Sequence, residues 1–123
     1  MTEKFVEVKG VKKYIEYVFT RVRLIHTDIL SVEDNQYKFY LELAKSIKEF
    51  ANSHRLFSKY MLGKCDYKYV MNMTGYEDAR NTFRFLERQR KKFIEYITEK
   101  ENELFITYPF VGEYKWLHER EVI

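Results

Sequence analysis

The sequence predicts a mainly α fold. It reads as a small bundle of four to five helices with one long helix in the C-terminal half and a short C-terminal β-hairpin. Three observations carry this reading. Residues 77–103 form the longest helical pattern, and no Gly or Pro occurs between Tyr76 and Thr107. Four Gly and one Pro in 123 residues are too few turn formers for an all-β fold. Val11, Ile15, Val18, Val22 and Ile25 recur at helical spacing. The length suits a single domain, 1–123, and a composition that is 46% hydrophobic and 18% aromatic supplies a core of large rings.

Residues 5–8 alternate briefly and read as a short strand or an arm, closed off by Gly10. A first helix is expected over 10–27. Ser31 followed by Asp34 resembles a capping box for a second helix that runs to Ala51. Tyr37, Tyr40, Leu41, Ala44, Ile47 and Ala51 share one face of it, and Phe39, Leu43 and Phe50 extend the apolar surface. A helix oily on more than one side belongs at the centre of the packing. Residues 52–54 break the pattern. A shorter third helix carries Leu56, Phe57, Tyr60 and Met61 and stops at Gly63.

Residues 65–73 predict a two-turn fourth helix with Tyr69, Val70 and Met73 inward and Asp66 at its start. Residues 74–76, Thr-Gly-Tyr, form the turn. The long helix follows, with Glu77 and Asp78 where carboxylates suit free helix N–H groups. Ala79, Phe83, Leu86, Phe93, Ile94 and Ile97 fall on its apolar face. Beyond Glu103, the β-branched and aromatic run 104–108, the turn at 109–112 and the alternation at 114–118 suggest the hairpin. A helix end followed by an extended tail is the other reading.

The charge is unevenly spread. Net charge is only +3, but residues 63–94 carry eight basic and four acidic groups, against three and seven in 95–123. Arg80, Arg84, Arg88 and Lys92 recur every four residues on one face of the long helix, with Lys91 beside them. Like charges at this spacing destabilise an isolated helix, and bound phosphate or an acidic protein would relieve the repulsion. The plainer account is a solvated face laced by Glu87–Lys91 and Lys91–Glu95 pairs. Arg90 falls on the apolar face, where a snorkelling side chain or an ion pair is the first expectation.

Other chemistries find little support. Cys65 is the only cysteine, so no disulfide can form within the chain, which fits a reducing, cytoplasmic setting. His26, His54 and His118 are far apart, no metal or cofactor motif is present, and no catalytic residue is assigned. The charged start of the chain does not read as a signal peptide, and no run is apolar enough to span a bilayer, so no membrane partner is expected. Frequent Lys, Ile, Tyr, Phe and Asn with scarce Ala, Gly and Pro suggest an AT-rich genome, as in many phages and archaeal viruses.

A short helix, a Gly turn and an Arg-rich helix are the parts of a helix-turn-helix (HTH) unit. The stretch 69–91, YVMNMTGYEDARNTFRFLERQRK, resembles the HTH of phage and bacterial transcription regulators, in which a Gly turn precedes a Thr-apolar-x-Arg stretch. It departs from them in spacing: Thr82 follows Gly75 by seven residues, where five is usual. The resemblance implies duplex DNA as partner and a small, non-enzymatic regulatory protein. Arg80, Asn81 and Arg84 would face base edges, and Arg88, Arg90, Lys91, Lys92 and Lys68 would face phosphates. A homodimer fits this reading. The alternative is an interaction protein, such as a viral inhibitor, docking its basic and aromatic face on an acidic host protein.

Overall fold

The structure, a computed structural model, describes residues 9–110. The described residues form five helices: α1 (Lys9–His26), α2 (Asp34–Ser53), α3 (Arg55–Met61), α4 (Tyr67–Thr74) and α5 (Ala79–Thr107). The expected strand or arm at 5–8 lies outside the described residues. The hairpin expectation is corrected in its first half, because 104–107 is the last turn of α5. Pro109 sets the stop: it disfavours helical backbone at Tyr108, the C-cap (φ −128°, ψ 65°). The remainder, 111–118, lies outside the described residues.

Helices α1, α2 and α5 form an up-down-up core. His26 packs on Tyr37 at one end of the α1–α2 pair, while the Lys48 ammonium lies over the Phe19 ring at the other, so the two run antiparallel. Phe50 stacks edge-on to Phe93 at 5.2 Å, and Asn35 donates to the Pro109 carbonyl at 2.9 Å, so α2 and α5 also run antiparallel. α2 is central, as its two apolar faces require, and buries Phe39, Tyr40, Leu43, Ala44, Ser46, Ile47 and Phe50. Tyr37, Leu41 and Ala51, expected at the centre of that face, are only half-buried at its edges. The expected capping box does not form. Glu33 is the N-cap, without a side-chain cap bond, and Asp34 instead pairs with Lys38 one turn on at 3.0 Å.

The core contains a polar seam. Tyr14 is fully buried and donates to Glu101, also fully buried, at 2.7 Å. Burial pushes the Tyr14 hydroxyl well above its usual range, with the Glu101 charge and hydrogen bond acting in the same direction. The Arg21 guanidinium lies 5.0 Å from the Tyr40 ring centre and 5.5 Å from that of Tyr17. A buried carboxylate is costly unless hydrogen-bonded, so Tyr14 and Glu101 lock α1 to α5 in one register.

Because Phe50, three residues before the end of α2, meets Phe93, α2 ends beside Lys92 and its neighbours, and the stretch 79–89 runs past that end by roughly 16 Å of helix. α3 and α4 fold back on this extension, where Thr82 and Leu86 are fully buried. α4 presents Tyr67, Val70, Met71 and Thr74 inward; Val70 is fully buried. Tyr69 and Met73, expected inward, are 38% and 61% exposed. With Asp66 as N-cap the helix has eight residues, so it can bury a single row.

Gly75 closes α4 in the left-handed region (φ 79°), with its amide on the Met71 carbonyl, and Asp78 caps α5 by accepting from the Asn81 amide at 2.9 Å. A Cβ added at Gly75 would meet nothing within 4 Å. Gly75→Ala therefore acts through backbone conformation alone and should lower the unfolding free energy by about 1 kcal/mol, read from the urea midpoint. Tyr14→Phe should cost about 2 kcal/mol, because it strips a donor from a buried carboxylate. In a double-mutant cycle with Glu101→Gln the two changes should be strongly non-additive.

Candidate nucleic-acid interface

The joint between α4 and α5 is short and specific. Four residues, 75–78, separate Thr74 from Ala79. The departure in spacing stands: the helix starts at Ala79, and Thr82 lies in its first turn, seven residues after Gly75. The Tyr67 hydroxyl donates across the joint to the Ala79 carbonyl at 2.8 Å. Tyr76 in the turn packs edge-on to Phe85 at 6.3 Å. Thr82 and Val70, both fully buried, fill the angle between the helices. These contacts hold α4 against the first turns of α5 and turn the opposite side of α5 outward.

Arg80, Asn81, Arg84, Arg88, Lys91 and Lys92 are all exposed on α5, and Lys68 is exposed on α4. Arg80 to Lys92 spans roughly 18 Å of helix, and the row drifts by about 40° with each four-residue step, tracing a shallow spiral. Ion pairing among the described residues does not neutralise it. Among the described residues the ion pairs are Lys38–Asp34, Lys45–Glu42, Arg90–Glu87 and Lys100–Glu103. The expected Glu87–Lys91 and Lys91–Glu95 pairs are absent from that set.

Arg90 stands apart from the other candidates. Its side chain is 12% exposed and lies 3.7 Å from Glu87. It belongs to the apolar flank of the helix, as its wheel position indicates, and its guanidinium does not share the exposed row. The structure thus groups five α5 cations with Asn81 and leaves Arg90 as an internal pair.

The positive field is wider than the sequence row suggests. Residues 55–92, which form α3, α4 and the α5 extension, hold ten Lys and Arg against four Asp and Glu. Of these acids, Asp66 and Asp78 are helix caps and Glu87 holds Arg90. Arg55, Lys59 and Lys64 are further exposed cations, on α3 and the loop after it. The Lys59 ammonium lies 5.6 Å from the centre of the exposed Tyr69 ring, which places an aromatic surface beside the cations.

Burial pushes the Tyr67 hydroxyl up to about 12, with the nearby Tyr60 adding to the shift. Burial also raises the Cys65 thiol, against the opposing pull of Lys59. Among the described residues no group of three His, Cys, Asp or Glu side chains could hold a metal ion, and no helix is long and apolar enough to cross a membrane.

Among the described residues, the fold and site define a small five-helix bundle whose longest helix overhangs its partner and carries a basic row without ion pairs. No family model, curated protein or solved structure matches this chain.

The Tyr67 clamp gives a pH signature. An unfolded tyrosine ionises near pH 10, and the folded value is about 12. The neutral form is thus favoured in the fold, and its stabilising effect is intact below pH ~10 and lost as pH rises through ~12. Tyr67→Phe should lower stability by about 1 kcal/mol at neutral pH through loss of the Ala79 bond. It should also flatten the fall in urea midpoint between pH 10 and 12.

Proposed function

We propose that this protein is a small DNA-binding regulatory protein whose α4–turn–α5 unit works as an HTH. The observation that carries the reading is the α5 extension: an exposed row of five cations, unpaired among the described residues, on a helix braced from behind by α3 and α4. In this arrangement the first turns of α5 enter the major groove. Arg80 and Arg84 suit the O6 and N7 acceptors of guanine, and Asn81 suits the N6 and N7 edge of adenine. Arg88, Lys91 and Lys92 lie further along the helix, where the groove wall brings phosphates, and Lys68 meets the flanking backbone from α4. Release of condensed cations from the DNA supplies most of the affinity.

One observation favours a second reading. Tyr69 and Met73 are exposed one turn apart on α4 beside Lys68, and aromatic, Met and Arg side chains are characteristic of protein interfaces. On that reading the face docks on an acidic host protein. Tyr69→Ser with Met73→Ser should abolish such binding and leave duplex affinity within about twofold.

Duplex affinity measured by anisotropy across a salt series tests the first reading. Six exposed cations (Lys68, Arg80, Arg84, Arg88, Lys91, Lys92) should give a log–log slope near about −5. Arg88→Ala and Lys92→Ala should each flatten the slope by about one and weaken all duplexes alike, whereas Arg84→Ala should also relax sequence preference. Absence of duplex binding at low salt would sink the reading.

A further inference from the structure

The junction of α1, α2, α3 and α5 encloses a cavity of about 160 Å³. Its floor is fully apolar: Ile47, Phe50, Phe57, Met61 and Phe93 are each no more than 6% exposed. Its rim is graded in exposure. Ile15, Phe19, Ala51, Ser58 and Leu62 are half-buried, and Lys48 is exposed. The cavity therefore opens on the Lys48 side of α2 and ends against Phe93 of α5. Water gains little there, because the floor offers no hydrogen-bond partner. A dry apolar cavity of about 150 Å³ suffices for benzene.

The rim adds a charge to this shape. The Lys48 ammonium lies 5.7 Å from the centre of the Phe19 ring and makes no ion pair among the described residues. Its neighbours Lys45 and Glu49 are engaged elsewhere, with Glu42 and Tyr96 respectively. Ser58 supplies a hydroxyl on the same rim. An apolar slot sized for one ring, with a cation and a hydroxyl at its mouth, is complementary to a flat apolar body ending in an anion.

We infer that this cavity is a binding site for a monocyclic aromatic carboxylate, with its ring against the wall formed by Phe50, Phe57 and Phe93 and its carboxylate on Lys48. Nothing in this assignment depends on nucleic-acid binding, since Lys48 and the floor residues lie outside the basic row. The ring replaces empty volume with van der Waals contact, and the carboxylate meets its partner at the solvent edge, where desolvation costs least.

Benzoate and its neutral counterpart benzyl alcohol are the probes. The full chain, labelled at methionine methyl carbons, is titrated with each and followed by NMR and by thermal unfolding. Met61 lines the cavity, while Met71 and Met73 on α4 lie outside its lining and serve as internal controls. Benzoate should shift the Met61 methyl selectively, raise the melting temperature, and bind about fivefold more tightly than benzyl alcohol, as expected for one solvent-edge ion pair. Lys48→Met, an exposed substitution of similar length, should erase that preference. Ala51→Leu, which fills the rim, should weaken both probes. A Met61 resonance unmoved by benzoate would overturn the assignment. So would benzyl alcohol binding as well as benzoate, or a preference for benzoate that survives in Lys48→Met.

Discussion

The twenty residues of α2 cannot cover the twenty-nine of α5. That mismatch in length is the constraint on which the rest of the structure depends. The aromatic joint of Phe50 and Phe93 fixes where α2 ends along α5, and everything N-terminal to it must find other cover or stay in water. Leu86 and Thr82 demand cover on one side, and the short helices α3 and α4 supply it. The other side, with Arg80, Arg84, Arg88 and Lys92, receives none from the described residues. The basic face is exposed because of how the bundle is closed, and its charge alone would not have placed it there.

The same joint links the core to the surface. Phe93 is the first residue of α5 inside the three-helix core, immediately after Lys92, the last cation of the row. Its ring touches Phe50 of α2 and Phe57 of α3, so the orientation of the row is coupled to the packing of both. At the far end of α5, the Tyr14–Glu101 bond fixes the helix against α1. The helix is held at its middle and in its C-terminal half and braced by α4 at its start, so the backbone under its cations is fixed. The apolar cavity lies beside this joint, so its floor belongs to the same group of rings.

Much of the fold was legible in the chain. The helical spacing of Val11, Ile15, Val18 and Val22, the scarcity of Gly and Pro, and the acids at Asp66 and Asp78 located the helices and their caps, since these are local effects. Gly75 marked the turn because only a left-handed residue ends α4 there. Errors arose where a local signal competed with tertiary packing. Ser31 and Asp34 offered a cap, yet the helix begins at Asp34, because the preceding chain continues from the end of α1 in an extended approach. Leu104, Phe105 and Ile106 have the residue types of a strand, but α5 continues through them: Leu104 and Phe105 pack on the core, and no described segment pairs with them as a strand. Tyr69 and Met73 are apolar enough for a core, but α4 is too short to bury a second row. At the candidate site, the row Arg80 to Lys92 was visible as a period of four, because four residues make about one helical turn.

By itself the sequence determined the helical class, the number and approximate ends of the described helices, the apolar stripe of α1, and the concentration of positive charge between residues 63 and 94. These follow from periodicity and capping, which act within a few residues of the chain. Only the tertiary structure decided that α5 overhangs its partner, that Arg90 turns inward to Glu87 while its neighbours remain in water, that Glu101 is buried against Tyr14, and that the rings of four helices leave a cavity under Lys48. Each of these depends on which distant surface meets a given face, and a helical pattern carries no information about its partner across the core.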